Sequence, residues 1–122
     1  MIRRALLTMG WILTSGGAGA ESVCVSQPTE SKAFATTADI VRRLPEVKTW
    51  SSSHSFPVAF DSRAKPVVRD GRCYTPVAVY ASRPERLELW HLFYVHAQSH
   101  TVLVQDRITG DVVSLKEWRS KS

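Results

Sequence analysis

The sequence has only two cysteines, no C-x-x-C pair and no glycine-rich phosphate-binding motif. A redox-active dithiol uses closely spaced cysteines and a phosphate loop needs clustered glycines, so neither chemistry is expected. The run Ser51-Ser52-Ser53-His54 lacks the G-x-S-x-G context of a nucleophile elbow. The basic residues are scattered along a chain of 122 residues, which fits one domain without a nucleic-acid-binding stripe. We therefore expect no enzyme and no nucleic-acid partner.

The four histidines do not follow a pattern that would hold a metal ion. His91 and His96 are five residues apart on one predicted strand, so they face opposite sides. His96 and His100 flank one loop, but two ligands make a poor zinc site. Asp106 and Asp111 flank a Thr-Gly turn, where aspartate commonly supports the turn itself. The sequence therefore predicts no metal site, no catalytic carboxylate pair and no cofactor.

The chain also lacks an apolar run long enough to cross a membrane, although residues 1–20 have the order of an export signal. Arg3 and Arg4 precede the apolar stretch 5–13, and Ala18-Gly19-Ala20 has the form of a cleavage site. A retained anchor is the alternative, but it would need about 20 apolar residues. We expect cleavage after Ala20, which lowers the net charge from +5 to +3 by removing two arginines. The expected location is periplasmic or secreted, with no stable membrane span after cleavage.

Both cysteines, Cys24 and Cys73, lie in the expected mature chain. An oxidising compartment converts such a pair into a disulfide, and one pair has a single intramolecular connectivity. In the chain-entropy account, closing the loop between Cys24 and Cys73 stabilises the fold by roughly 4 kcal/mol. We predict a structural bridge that pins the N-terminal segment onto a strand.

Hydrophobic periodicity predicts helices first and strands after them. Residues 21–35 have the pattern of an irregular lead-in, and Thr36 with Asp39 predicts the N-cap of a helix. The apolar face of this helix continues past Pro45, in a second segment, to Trp50. From residue 56 the apolar period is two, which predicts strands at 56–60, 73–81, 87–97, 101–106 and 112–113. Turn signals separate these strands at Asp70-Gly71, 83–85, 98–100 and Thr109-Gly110.

This order of elements indicates one α+β domain over residues 36–122. Its expected architecture is an N-terminal helical segment packed on a four- or five-stranded antiparallel sheet. Ser114 and Glu117 are spaced as a capping box for a last helical turn, whose Trp118 folds back on the sheet. The predicted core joins helix residues Ile40, Val41, Leu44, Val47 and Trp50 to strand residues Val77, Val79, Phe93, Val95, Val102 and Val104.

Large aromatic side chains alternate along the predicted strand 87–97. Trp90, Tyr94 and His96 fall on its even-numbered face, Tyr80 falls on the matching face of the preceding strand, and Arg86 stands at the strand's start. Exposed clusters of aromatic residues and arginine are typical of binding surfaces, so these five residues are the predicted binding site. The alternative is that the lead-in and Trp118 cover this face, which would make it core.

The segment 92–115 combines Phe93-Tyr94-Val95, a turn at 98–100, a strand at 102–106 and the sequence Thr109-Gly110-Asp111-Val112. In this it resembles PepSY-type modules and related cystatin-like exported domains. It departs from the usual PepSY pattern at Ser99-His100, which stands where a glycine is common. The resemblance implies a non-catalytic protein that binds another exported protein, as an inhibitor or an immunity-type partner. The alternative is a binder of an anionic envelope polymer or a small ligand through the aromatic sheet face.

Overall fold

The computed structural model describes residues 24–62 and 64–121, so the predicted signal peptide at 1–20 lies outside the described residues. Two helices come first, Lys32–Arg42 (α1) and Pro45–Ser52 (α2). Six strands follow: Val58–Asp61 (β1), Val67–Arg69 (β2), Arg72–Ser82 (β3), Leu87–His96 (β4), Thr101–Gln105 (β5) and Val112–Ser114 (β6). A short helix, Leu115–Ser120 (α3), ends the described chain. The predicted α+β class is confirmed. None of the described helices is long and apolar enough to cross a membrane.

Helix α1 begins earlier than the sequence pattern indicates. Its N-cap is Ser31, whose side-chain oxygen accepts a hydrogen bond from the backbone N–H of Phe34 at 3.1 Å. The prediction of Thr36 as the N-cap is wrong, because Thr36 lies inside the helix and its hydroxyl donates to the Lys32 carbonyl. The earlier start adds Phe34 to the buried stripe that Ala38 and Val41 form. The irregular lead-in therefore ends at Ser31 rather than at residue 35.

The strands form an antiparallel sheet in the order β1-β3-β4-β5-β6, and β2 pairs with the first part of β3. Strand β2 is the additional strand that makes six, and its two valines are too short an apolar run to predict a strand. Asp70 and Gly71, at φ values of 55° and 75°, join β2 to β3. Two left-handed residues in a two-residue turn suit the right-handed twist of a hairpin, so the predicted turn is confirmed here.

The helices pack on one side of the sheet, called here the helix-side face. The predicted core is confirmed on this face, and Phe34 and Ala38 join it. Its buried strand residues are Val77, Val79, Phe93, Val95, Val102 and Val104, all of them 5% exposed or less. Helix α3 begins at the predicted cap Ser114, whose hydroxyl accepts from the Glu117 N–H at 3.1 Å. Its Trp118 packs against the helix-side core.

The opposite, outer face of the sheet is a second, smaller core rather than an open surface. Tyr74, Tyr94 and Leu103 are buried there, with partly buried apolar neighbours from β2, β4 and β6. The Arg69 guanidinium donates from Nη1 to the carbonyl of Val112 at 3.1 Å. Because Val112 is on β6, at the far edge of the sheet, this bond shows that the β2–β3 hairpin folds over the outer face. The alternative that this face is covered is therefore correct, but the β2–β3 hairpin covers it, whereas Trp118 packs on the helix-side face.

The predicted disulfide is formed. Cys24 and Cys73 are bonded with their Cα atoms 5.4 Å apart, which joins the lead-in to the start of β3. The lead-in is also held at the end of β1, where the Ser62 N–H donates to the Thr29 hydroxyl at 3.2 Å. The Ser62 hydroxyl in turn donates to the carbonyl of Gln27. The bridge therefore closes most of the helical region and the first strands into one covalent loop.

Candidate functional site

Strand β4 contains a β-bulge at Trp90. Val79 of β3 pairs with His91, but the next residue, Tyr80, pairs with Leu89, so Trp90 is an extra residue without a partner on β3. Beyond a bulge of this kind, each side chain of the strand lies on the face opposite to the one that regular alternation would give it. Trp90 and His91 consequently lie on the same, helix-side face, with their ring centroids 4.6 Å apart. Leu89 lies on the outer face with Tyr80.

The five residues predicted as the binding site do not come together in the structure. Tyr80 and Tyr94 are 2% and 5% exposed and belong to the packing of the outer face. Trp90 lies on the other face of the sheet, so the prediction that Trp90, Tyr94 and His96 share a face is wrong. Arg86 is exposed in the turn before β4, whereas His96 ends that strand. The bulge is the physical reason, since it separates Trp90 from the even-numbered residues that follow it.

Aromatic rings instead gather on the helix-side face, beside the bulge. Trp50 of α2 and Trp90 are stacked, with centroids 4.2 Å apart and ring planes 2° from parallel. Phe56 packs against Trp50 at 5.3 Å, and His54 packs against Phe56 at 4.8 Å. His54 is fixed through Nδ1, which lies 2.7 Å from the carbonyl oxygen of Trp50. The end of α2 and the loop before β1 are therefore attached to the sheet through these rings.

The row of rings continues from Trp90 through His91 to Trp118, whose ring is 5.1 Å from that of His91. We call Trp50, His54, Phe56, Trp90, His91 and Trp118 the aromatic ridge. The Nδ1 atom of His91 is buried and has no hydrogen-bond partner among the described residues. Burial, and then the positive charge of Arg107, lower the pKa of His91 below its usual value of 6.5. A neutral imidazole therefore packs between the two indoles.

The turn between β5 and β6 borders the aromatic ridge. The Asp106 carboxylate accepts from the backbone N–H groups of Ile108 at 2.8 Å and Thr109 at 3.2 Å. Gly110 has a φ of 83°, which a side chain would disfavour, and its N–H donates to the Asp106 carbonyl. Lys121 bonds the same carboxylate at 2.8 Å and, with the two N–H groups, lowers the pKa of Asp106 to about 2. This ordered turn holds the side chain of Ile108 95% exposed.

Arg107 belongs to this turn, and its side chain reaches the aromatic ridge. Its Nη1 donates to the carbonyl oxygen of Trp90 at 3.0 Å, so the bulge and the turn are directly connected. A depression of about 210 Å³ opens on the side of Arg107 that Trp50 and Trp90 line. A second depression, of about 190 Å³, opens on the side that His91, Trp118 and Ile108 line. Ring faces, an aliphatic side chain and a guanidinium are thus accessible within one continuous surface.

Among the described residues, no group of three or more histidine, cysteine, aspartate or glutamate side chains is placed to hold a metal ion. The candidate site is the surface formed by the aromatic ridge, Arg107 and Ile108. Sequence reasoning missed Trp50, which is on α2, and Arg107 and Ile108, which are in the turn between β5 and β6. The sequence held no clear signal for them, because single apolar residues at a protein surface are common.

Comparison of the chain with protein-family models, with curated proteins and with solved structures gives no match. The resemblance of residues 92–115 to PepSY-type and cystatin-like domains therefore stays a prediction.

Proposed function

We propose that this chain is a small exported, non-catalytic protein that binds another exported protein, as an inhibitor or an immunity-type partner. The observation that carries the proposal is Ile108, which is 95% exposed on an ordered turn beside tryptophan rings and Arg107. Tryptophan and arginine, together with tyrosine, are enriched in interface hot spots. An ordered apolar side chain in water gains free energy when a partner covers it.

The disulfide and the sequence resemblance support the compartment and the class of protein. Disulfides persist in oxidising compartments, which agrees with export of a chain whose first residues have the pattern of a signal peptide. PepSY-type and cystatin-like modules, which residues 92–115 resemble, act by binding. The alternative of a polymer or small ligand on the aromatic sheet face loses its support, because Tyr80 and Tyr94 are buried in that face.

Affinity capture with paired variants tests this proposal. The mature chain is immobilised and exposed to the extracytoplasmic fraction of its source organism, alongside Ile108→Ser and Val68→Ser. Val68 is 57% exposed on β2 and serves as the matched control, because it is also an apolar residue in water. We expect a stoichiometric protein partner that wild type and Val68→Ser retain and that Ile108→Ser binds at least about tenfold more weakly. Equal retention by both variants, or no stoichiometric partner, would contradict the proposal.

A further inference from the structure

Several charged side chains around the candidate site form ion pairs with one another, and Arg107 does not. Glu88 accepts from Arg83 at 2.9 Å and lies 3.6 Å from Arg86. Lys121 pairs with Asp106 at 2.8 Å. No carboxylate of the described residues forms an ion pair with Arg107, which is exposed. Arg107, which lines both depressions, is thus a cation without a counterion among the described residues.

Two carboxylates of this surface, those of Glu88 and Asp106, already have cationic partners. Glu88 accepts two hydrogen bonds from Arg83, which are the main reason that the pKa of Glu88 is lowered. Asp106 accepts from Lys121 and from two backbone N–H groups of its own turn. Neither group is available to neutralise Arg107 without breaking these bonds. Arg107 therefore presents an unneutralised positive charge at this surface, which favours an anionic group on the partner.

The guanidinium of Arg107 is also positioned to bind. Its Nη1 is held by the Trp90 carbonyl, and its remaining N–H groups make no hydrogen bond within the described residues. A guanidinium presents its donors in a planar fork that matches a carboxylate. Holding one nitrogen in place lowers the conformational entropy that binding would otherwise cost.

The neighbouring residue limits the kind of anion. Ile108 follows Arg107 directly and is 95% exposed, so a ligand that reaches Arg107 also reaches an aliphatic side chain. A polypeptide supplies a carboxylate and apolar atoms side by side. An acidic polysaccharide supplies the charge but little apolar surface, and would leave Ile108 in water.

From these observations we propose that the site recognises an acidic protein segment. A carboxylate of the partner binds Arg107, and an adjacent apolar or aromatic side chain covers Ile108 in the depression beside Trp118. This inference rests on the proposed function and names the chemistry of the partner.

Synthetic polymers test the chemistry without the natural partner. The mature chain is titrated into three labelled probes: a random copolymer of glutamate and tyrosine, polyglutamate, and polygalacturonate, with fluorescence anisotropy as the measurement. The variants are Arg107→Glu, Ile108→Ser and Arg72→Glu. Arg72 is exposed at the start of β3, and its replacement changes the net charge by the same amount as Arg107→Glu. Circular dichroism confirms that each variant is folded.

We expect the copolymer to bind most tightly at low salt and to weaken as salt is added. Arg107→Glu should weaken its binding by about tenfold or more, Ile108→Ser by about fivefold, and Arg72→Glu by less than about twofold. Polyglutamate should lose affinity with Arg107→Glu but not with Ile108→Ser. The proposal is overturned if the copolymer does not bind, if both charge reversals act equally, or if polygalacturonate binds as tightly as the copolymer.

Affinity capture separates this inference from the proposed function. If the natural partner is lost with Ile108→Ser but retained by Arg107→Glu at all salt concentrations, the chain binds a protein whose segment at this site is not acidic. The proposed function then stands and the acidic segment is refuted. If the copolymer behaves as expected and no partner protein is captured, the preference for an acidic polypeptide stands and the proposed function is refuted.

Discussion

The bulge at Trp90 predicts an energetic coupling between Trp50 and Trp90 that a regular strand would not produce. In the structure their rings are stacked at 4.2 Å, so each replacement by leucine removes the same contact. In a strand without the bulge, Trp90 would lie on the outer face, and the sheet would separate it from α2. A double-mutant cycle on Trp50→Leu, Trp90→Leu and the double variant therefore tests the register of β4 directly.

The expected magnitude follows from the partial burial of both rings. Each single variant should lower the free energy of unfolding by about 1.5–3 kcal/mol, which combines lost apolar burial with the lost stacking. Stacked aromatic pairs contribute about 0.5–1.5 kcal/mol beyond their area, so the coupling energy should be about 1 kcal/mol. Urea unfolding followed by circular dichroism measures these values. The exciton signal of two stacked indoles should also disappear from the spectrum in either single variant.

A control cycle uses Trp50→Leu with Tyr94→Leu. Tyr94 is buried on the outer face, so it has no contact with Trp50 and the two effects should add within about 0.5 kcal/mol. A coupling energy for Trp50 and Trp90 that is no larger than in this control would refute the stacked arrangement and the bulge that produces it.

Three further predictions concern stability. Cys73→Ser should lower the free energy of unfolding by about 2–5 kcal/mol in non-reducing urea titrations, because it opens the loop closed by the bond to Cys24. Labelling of both cysteines of the native wild-type protein by a thiol reagent would contradict the bridge. His100 has a φ of 58°, a left-handed conformation that strains residues other than glycine. His100→Gly should therefore raise the free energy of unfolding by about 0.5 kcal/mol in urea titrations, and a lower urea midpoint for this variant would contradict the strain. The lowered pKa of His91, caused first by burial and then by Arg107, means that the unfolded chain binds more protons below pH 6.5. Stability should therefore fall as the pH drops from about 7 to 5, and His91→Phe should reduce that slope, whereas an unchanged slope would show that His91 is not the cause.

The sequence was sufficient for the main core because its periods are clear. Val41 and Val47 recur on helical faces, and Val77, Phe93 and Val104 alternate along strands, so both patterns point to one interface between helix and sheet. Local capping was less predictable. Ser31 and Thr36 are both plausible caps by residue type, and only the packing of Phe34 against the core selects the earlier one.

The candidate site was not predictable from the alternation of apolar and polar residues along the strands. Residues 89–95 are apolar at every position except His91, so the pattern of apolar and polar residues does not show where the strand changes register. The two faces of β4 are both covered, one by helices and the other by the β2–β3 hairpin, and each accepts large rings. Pairing with β3 decides which ring lies where, and that is a property of two strands together.

The bulge links the stability of this protein to its candidate surface. Trp90 packs against the core through its ring and holds Arg107 through its carbonyl, so a change of register in β4 would move the guanidinium as well. Variants of the aromatic ridge therefore alter folding and binding together, and a loss of binding in them says little about contact with a partner. Arg107 and Ile108 are exposed, and the turn that carries them is held by the backbone and side chain of Asp106. The Ile108 side chain is almost wholly in water, so its replacement leaves the turn and the ridge in place, and loss of partner binding in Ile108→Ser would indicate direct contact. Replacement of Arg107 also removes its bond to the Trp90 carbonyl, so that variant is interpreted together with its circular dichroism.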